Sequence, residues 1–478
     1  MPAIAVAPIG ISGGVNVSAD AASRATSTAT NVTLGPAGEN TQRPAFTDTE
    51  TTGMGAFPIN GAYRWRTWVI FVDADRKLWA MSEGAPYTVV GISDSTAATQ
   101  LAGVRRPVFA EDGLPRLVIA GGNTILQWTG TGLCSALITS GITPNATHVA
   151  YLGQRLIAND VSRPREWFWS DIGDGSHQSW NAANFTTPDA SPDDVVAVYA
   201  SLREAYVFGE RSLQVYAVGT DPLNPFENIV TLAIGCMAPY SPVEVDGAWM
   251  WLDDRRRIVV SNGRAFEDVS GDISTALRNM ETVTDCWSFR IDHKHDTNYV
   301  FVFPAEGKAW VFNPVGKTWT DWAYYSDQGP VGIPVASHAA WPALNTNVFG
   351  ALSESNVYKA DPDVRSDLGG PLVMDRVTGN LDHGTNTRKR SVRVRCVLRR
   401  GTGGASGTTA KLEIRKADDG GSWDDWEFVD VGLAGDNDQT VDAYLGGIFR
   451  RRRYQFRYSG TQEMALISAD EHFVPVSS

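Results

Sequence analysis

Residues 195–218 read VVAVYASLREAYVFGERSLQVYAV. Three runs within it, Val195 to Tyr199, Ala205 to Phe208 and Leu213 to Val218, are rich in β-branched and aromatic residues. Gly209-Glu210-Arg211-Ser212 supplies the turn between the last two, so the stretch predicts a short antiparallel meander. A single meander cannot cover both of its own faces. Similar units lie on either side of this one: Trp65 to Phe71 with Leu78 to Met81, Val108-Phe109 with Leu117 to Ile119 and Ile125 to Trp128, and Val149 to Leu152 with Leu156-Ile157 and Trp167 to Trp169. Further along come Trp249 to Trp251 with Ile258 to Val260, Trp287 to Ile291 with Tyr299 to Phe303 and Ala309 to Phe312, and Asn347 to Ala351 with Val357 to Ala360. Counted from Tyr63, Pro107, Thr147, Asp193, Ser241, Trp287 and His338, the spacings are 44, 40, 46, 48, 46 and 51 residues. Units of this size, repeated side by side, are the sequence form of a β-propeller, where each blade is buried by its neighbours. Six or seven blades are expected; the alternative is a string of unrelated meanders in sandwiches.

The composition supports an all-β fold. The 478 residues include 46 Gly and 24 Pro, a density of turn formers that suits short strands, and 16 Trp, 14 Tyr and 18 Phe, enough to fill a large interior. The formal net charge of -13 argues against a protein that grips nucleic acid by neutralising phosphates. The charge is unevenly spread. From Arg376 onward there are 16 Lys or Arg against 14 Asp or Glu, which leaves 25 against 40 before it, so the two parts carry +2 and -15. Cys134, Cys236, Cys286 and Cys396 are far apart and read as small buried residues of a reducing compartment. No secretory leader pattern is present, and no apolar run is long enough to span a membrane, so a soluble, non-secreted chain with no membrane partner is expected.

Residues 1–62 are expected to form an extended N-terminal arm. Its first 45 residues contain no Phe before Phe46, no Trp and no Tyr, and cannot make a core alone. Two readings stay open: a floppy terminus, or a segment that orders against another part of the protein or a neighbouring subunit. The propeller is placed at 63–365, ending at Asp361-Pro362-Asp363 and the Gly369-Gly370-Pro371 break, and a C-terminal β-rich module at 366–478. There Val392, Val394, Cys396 and Leu398 alternate with Arg393, Arg395 and Val397, as in one strand of a small sandwich. Tyr454, Phe456 and Tyr458 fall on one face of a second strand, and Gly401 to Thr409 reads as a flexible turn.

Sites of chemistry are scarce. The sequence has no GxSxG elbow, HExxH or Walker loop, and neither catalytic residues nor a cofactor or metal site are assigned. Asp292-His293-Lys294-His295-Asp296 has a spacing that could chelate a metal, but it leads straight into a strand and reads better as a polar hairpin tip. Asp418-Asp419-Gly420-Gly421-Ser422-Trp423 is an Asp-box-like hairpin. Asp418, Gly420 and Trp423 are its structural residues: the carboxylate is expected to accept backbone N–H bonds across the turn while Trp packs beneath. Arg450, Arg451, Arg452 and Arg453 form the strongest basic run and are the candidate inter-subunit or partner interface, facing an acidic partner; an ordinary solvated face is the open alternative.

Several blocks carry a resemblance. Trp169 to Gly175, Trp180, Gly219-Thr220-Asp221-Pro222, Pro225-Phe226, Ile234 to Pro239, Trp251 to Arg256 and Ile273-Ser274-Thr275 resemble the middle of the tail hub or nozzle proteins of short-tailed bacteriophages, also called packaged-DNA stabilisation or tail accessory proteins. The C-terminal Asp418 to Trp423 and Arg450 to Arg453 are similar to that family's last segment, and the blocks span roughly 145–330 and 375–475. Lys416 and the long loop from Gly401 to Thr409 depart from the pattern. The resemblance implies a non-enzymatic structural subunit: a homohexameric ring below the portal and its adaptor protein, retaining packaged DNA and carrying tail spikes or fibres. It further implies a tail needle or plug as partner, double-stranded DNA passing without specific binding, and a place in the virion after assembly in the host cytoplasm. The rival expectation is a β-propeller glycosidase or carbohydrate-binding protein.

Overall fold

The computed structural model describes residues 4–11, 14–16, 27–35, 38–49, 51, 54, 57–82, 87–94, 101, 106–122, 124–172, 175–188, 192–293, 296–342, 345–403, 410–433 and 438–476. The fold is all-β; among the described residues the longest helix is the short turn Ser274–Asn279. Residues 195–218 form the strands Val195–Ser201, Glu204–Gly209 and Leu213–Val218, joined on the outside by Phe226–Leu232. Hydrophobic side chains point both ways from such a sheet because both faces are covered. Ala197, Phe208 and Val215 pack against Trp249 and Trp251 of the next blade, while Val198, Val207 and Tyr216 pack against Trp167 and Trp169 of the previous one.

Among the described residues six four-stranded sheets of this kind stand alone, and a seventh four-stranded unit, Trp287–His293 to Thr318–Asp321, continues into the C-terminal module. The innermost strands begin at Ile59, Val108, Val149, Val195, Val243, Trp287 and Val335, following the period read from sequence. Separate apolar clusters fill the gaps between neighbours. The last of these joins Trp341 and Val348 to Ile59, Val69 and Phe71 and so closes the ring. Burying about 25 cal/mol for each Å² of apolar surface at every gap makes the closed ring, and not the single blade, the stable unit.

Three local expectations are corrected. Trp65 to Phe71 is not one strand: Ile59–Trp65 turns into Trp68–Asp73 through Arg66 and Thr67, with Arg66 at φ 54°. A two-residue hairpin turn needs that left-handed backbone, but Arg-Thr lacks the Gly or Asn that would announce it. The arm does not extend to residue 62. Ala45–Asp48 is the outer strand of the last blade, paired with Val357–Asp361, so the two ends of the propeller meet in one sheet. The alternation at Val392 is interrupted by a bulge between Ser391 and Arg393, after which Val394, Cys396 and Leu398 are fully buried.

The described strands of the rest of the arm pair with their own chain. Ala5–Pro8 pairs with Gln462–Pro475, and Asn40–Gln42 pairs with the same strand further along. Thr28–Thr30 lies between Thr318–Asp321 and Met374–Val377, and this insertion makes one nine-stranded sheet of a blade and half of the C-terminal sandwich. The other half is a seven-stranded sheet built on Lys389–Gly403 and Gln462–Pro475. Val394, Cys396, Leu398, Met464 and Leu466 from one sheet meet Leu412, Ile414, Tyr454, Phe456 and Tyr458 from the other. The far part of the Gly401 to Thr409 turn lies outside the described residues, although the strand runs on to Gly403.

Arg43 holds the seam between the two units. Its side chain and that of Asp367 are buried to 0% and 1% exposure and form an ion pair. Its Nε donates to Asn31 Oδ1 (2.9 Å), its guanidinium donates to the carbonyls of Pro44 (2.7 Å) and Ala323 (3.2 Å), and it covers the Phe46 ring at 4.5 Å. One cation thus ties the arm, the sixth blade, the last blade and the linker together.

Candidate partner-binding site

The Asp-box-like hairpin sits between Ala410–Asp418 and Arg452–Tyr458, where Asp418 is directly opposite Arg452. The pair is bidentate: Arg452 Nε donates to Asp418 Oδ1 (2.6 Å) and Nη2 to Oδ2 (3.0 Å). Arg452 also donates to the Gly446 carbonyl (2.6 Å), lies over the Phe449 ring at 3.9 Å, and is fully buried beside Glu471. Burial raises the Glu471 carboxyl above its ordinary value, and the Tyr454 hydroxyl donates to it (2.9 Å). Arg452 is therefore a core residue of the sandwich, which corrects its assignment to the candidate interface. On a strand, alternate residues face opposite ways, and the apolar pattern 454, 456, 458 already put position 452 inside.

The division of labour in the hairpin also differs from expectation. Asp419, at φ 50°, accepts the backbone N–H groups of Arg450 (2.9 Å) and Arg451 (2.8 Å). Asp418 instead neutralises cations, taking Lys416 Nζ at 2.8 Å as well as Arg452. Gly420 follows at φ 83°, a backbone conformation that glycine adopts without strain. Trp423 does not pack beneath the turn. It is half-buried on the outer face, with the Arg453 guanidinium 4.9 Å and that of Arg415 5.1 Å from its ring. Trp426 continues the alternation between Arg415 at 4.3 Å and Arg457 at 4.7 Å. This Arg–Trp ladder was not read from sequence; the signal lay in Arg415, Arg453 and Arg457 occupying the polar face of paired strands.

Arg450 and Arg451 are exposed and line a cavity of about 520 Å³ with Arg388, Asn380, Asn386, Asp419 and Gly420. The structure thus splits the basic run into one core arginine, one ladder arginine and two that face solvent. The Asp292 to Asp296 segment lies at the hairpin between Trp287–His293 and Asp296–Phe303, and Lys294 and His295 lie outside the described residues. All four cysteines are buried free thiols. No helix of the described residues is long and apolar enough to cross a membrane.

The centre of the propeller is filled. Groups from opposite sides of the ring meet between the innermost strands. Arg106, leading into the second blade, lies over the Trp287 ring of the sixth at 4.2 Å and donates to the Ala336 carbonyl of the seventh at 2.6 Å. Burial lowers its pKa to about 10. His148 of the third blade stacks on Tyr240 of the fifth, with centroids 5.2 Å apart. Burial holds its pKa down to about 4, so the ring is neutral near pH 7. Thr147 Oγ1 donates to Nδ1 (3.0 Å), and Nε2–H donates to the Pro239 carbonyl (3.0 Å).

Residues 72–281 match the phage-stabilisation family model, described as bacteriophage P22 Gp10, β-propeller. Over this segment the chain is similar to that family. The match begins in the second strand of the first blade, earlier than the blocks that carry the resemblance, and ends just after the short helix that precedes the sixth blade. The last two blades and the C-terminal sandwich lie beyond it. The family is one of phage structural proteins. No curated protein matches the chain. Among solved structures, the WD40 β-propeller domain of Doa1 is 9% identical, covering 66% of this chain and 96% of that one at a TM-score of 0.44. The RRP9 WD40 repeats are 10% identical, with coverages of 67% and 99% and a TM-score of 0.43. The extracellular domain of a putative one-component system, BT4673 from B. thetaiotaomicron, is 9% identical, with coverages of 86% and 57% and a TM-score of 0.45. None of these three likenesses bears on function.

Proposed function

We propose that this protein is a structural subunit of a short-tailed phage tail, acting without catalysis in a ring, six copies in number, beneath the portal and its adaptor. The ring retains packaged DNA, conducts it on ejection and anchors spikes or fibres. The observation that carries this reading is the family match over residues 72–281. Two physical features agree with it. Arg106 and its aromatic neighbours fill the propeller centre, so a DNA path would run between copies and not along the axis of any one of them. A formal charge of -13 repels phosphates at the wall of such a path, which lets a duplex slide without sticking.

Light scattering on the size-fractionated protein, with and without a portal–adaptor complex, tests the reading. The expected result is a ring-sized species or a stoichiometric complex with the adaptor. A monomer that ignores the adaptor and turns over a glycoside would replace it with the carbohydrate-active alternative.

A further inference from the structure

The cavity beside the Asp-box-like hairpin is built around three guanidiniums. Arg388, Arg450 and Arg451 line it with the carboxamides of Asn380 and Asn386, and Asp419 is the one acid among the residues that enclose it. Among the described residues none of the three arginines is ion-paired, whereas Arg393, Arg395, Arg452 and Arg457 of the same module all are. Asp419 does little to offset the three charges, because its Oδ1 is already engaged by the backbone of Arg450 and Arg451.

The lining is held in place by buried neighbours. Arg452, locked by Asp418, anchors the segment that bears Arg450 and Arg451, and its backbone pairs with Leu381 beside Asn380. Lys389 is fully buried, and its Nζ donates to the carbonyls of Thr385 (2.6 Å) and Thr387 (3.0 Å), which fixes the loop bearing Asn386 and Arg388. Planar guanidinium donors carried on a fixed backbone suit carboxylates taken two oxygens at a time.

We infer that this cavity is a socket for carboxylate side chains of a second copy of the same chain. The occupant follows from charge and shape. The part of the chain before Arg376 carries 40 acidic against 25 basic residues, so the propeller-bearing part of every copy has the opposite charge to the socket. A concave pocket admits a protruding side chain or loop, while a duplex presents its phosphates on a wide convex rod. An acidic patch on one copy meeting a basic socket on another is a heterologous contact, which generates rings when the rotation closes. The inference rests on the ring reading above and assigns that ring one of its seams.

The test compares the full-length protein with the triple variant R388S/R450S/R451S by sedimentation velocity over a range of concentration and salt. Wild type should self-associate more tightly at low than at high ionic strength. The triple variant should show a dissociation constant raised at least about 30-fold, with an unchanged thermal midpoint because all three side chains are exposed. A variant that assembles like wild type overturns the socket and leaves the ring reading standing. Wild type that stays monomeric under every condition also overturns the socket, while the ring reading then stands or falls on binding to the portal–adaptor complex. Duplex DNA retained by wild type and released by the variant would mean that the cavity takes phosphate, and also overturns the inference.

Discussion

The gaps between blades and the seam between propeller and sandwich are both fully buried, yet they are made of different material. The gaps are filled by tryptophan, phenylalanine and branched aliphatics from the strands of neighbouring blades. The seam is organised by Arg43 and Asp367, 324 residues apart, with Asn31 and backbone carbonyls completing the shell. Apolar gaps tolerate exchange of one hydrophobe for another of similar volume. A buried ion pair tolerates the loss of neither partner, because the survivor is left charged without solvent.

That contrast is most open to attack at the arginines. Arg43→Ala should cost about 3–5 kcal/mol in urea unfolding, and Arg452→Ser about as much, since Asp367 in one case and Asp418 with Glu471 in the other lose their buried cation. Near-wild-type stability for either would show that the seam is looser than its hydrogen bonds imply.

The same contrast explains how far the sequence could be read. The propeller was legible because its information is local and repeated: strand, turn and apolar run recur at blade spacing, and a reader needs no knowledge of distant partners. The face of Tyr454, Phe456 and Tyr458 was legible for the same reason. The seam was not. Nothing near Arg43 announces that it is inside, since a lone arginine in a polar arm normally faces water. Ala45–Asp48 was missed because its pairing partner, Val357–Asp361, is at the other end of the propeller. In the candidate site, Asp418 and Asp419 are adjacent acids whose roles differ only through the strand alternation that turns one inward to Arg452 and leaves the other at the turn.

The seam also responds to pH. Asp321 lies where Thr30 of the arm meets the sixth blade and accepts the Thr30 hydroxyl at 2.9 Å. Burial raises its pKa from 3.8 to about 6. A carboxyl with a raised folded-state pKa contributes stability that is complete below 3.8 and is lost as pH rises through about 6. Asp321→Asn should therefore stabilise the protein by about 3 kcal/mol at pH 7, with the gain vanishing below about pH 4. A gain independent of pH would assign the effect to packing.

His148 and His338 run the other way. Burial lowers both to about 4, so their share of stability is complete above 6.5 and falls as pH drops towards 4. The smallest effect is expected at the cavity rim. Arg451→Ser should change stability by less than about 0.5 kcal/mol, in contrast to its neighbour Arg452. Equal losses at the two positions would erase the distinction between core and socket.

On the function proposed above, copies of this chain build a conduit around a passage that none of the propellers supplies. Electron cryo-microscopy of the protein assembled with a portal–adaptor complex measures this directly. The account predicts copies arranged around a common channel, each propeller centre closed by Arg106 against Trp287. DNA density along a propeller's own axis, or a single copy bound off-centre with no channel, would contradict it.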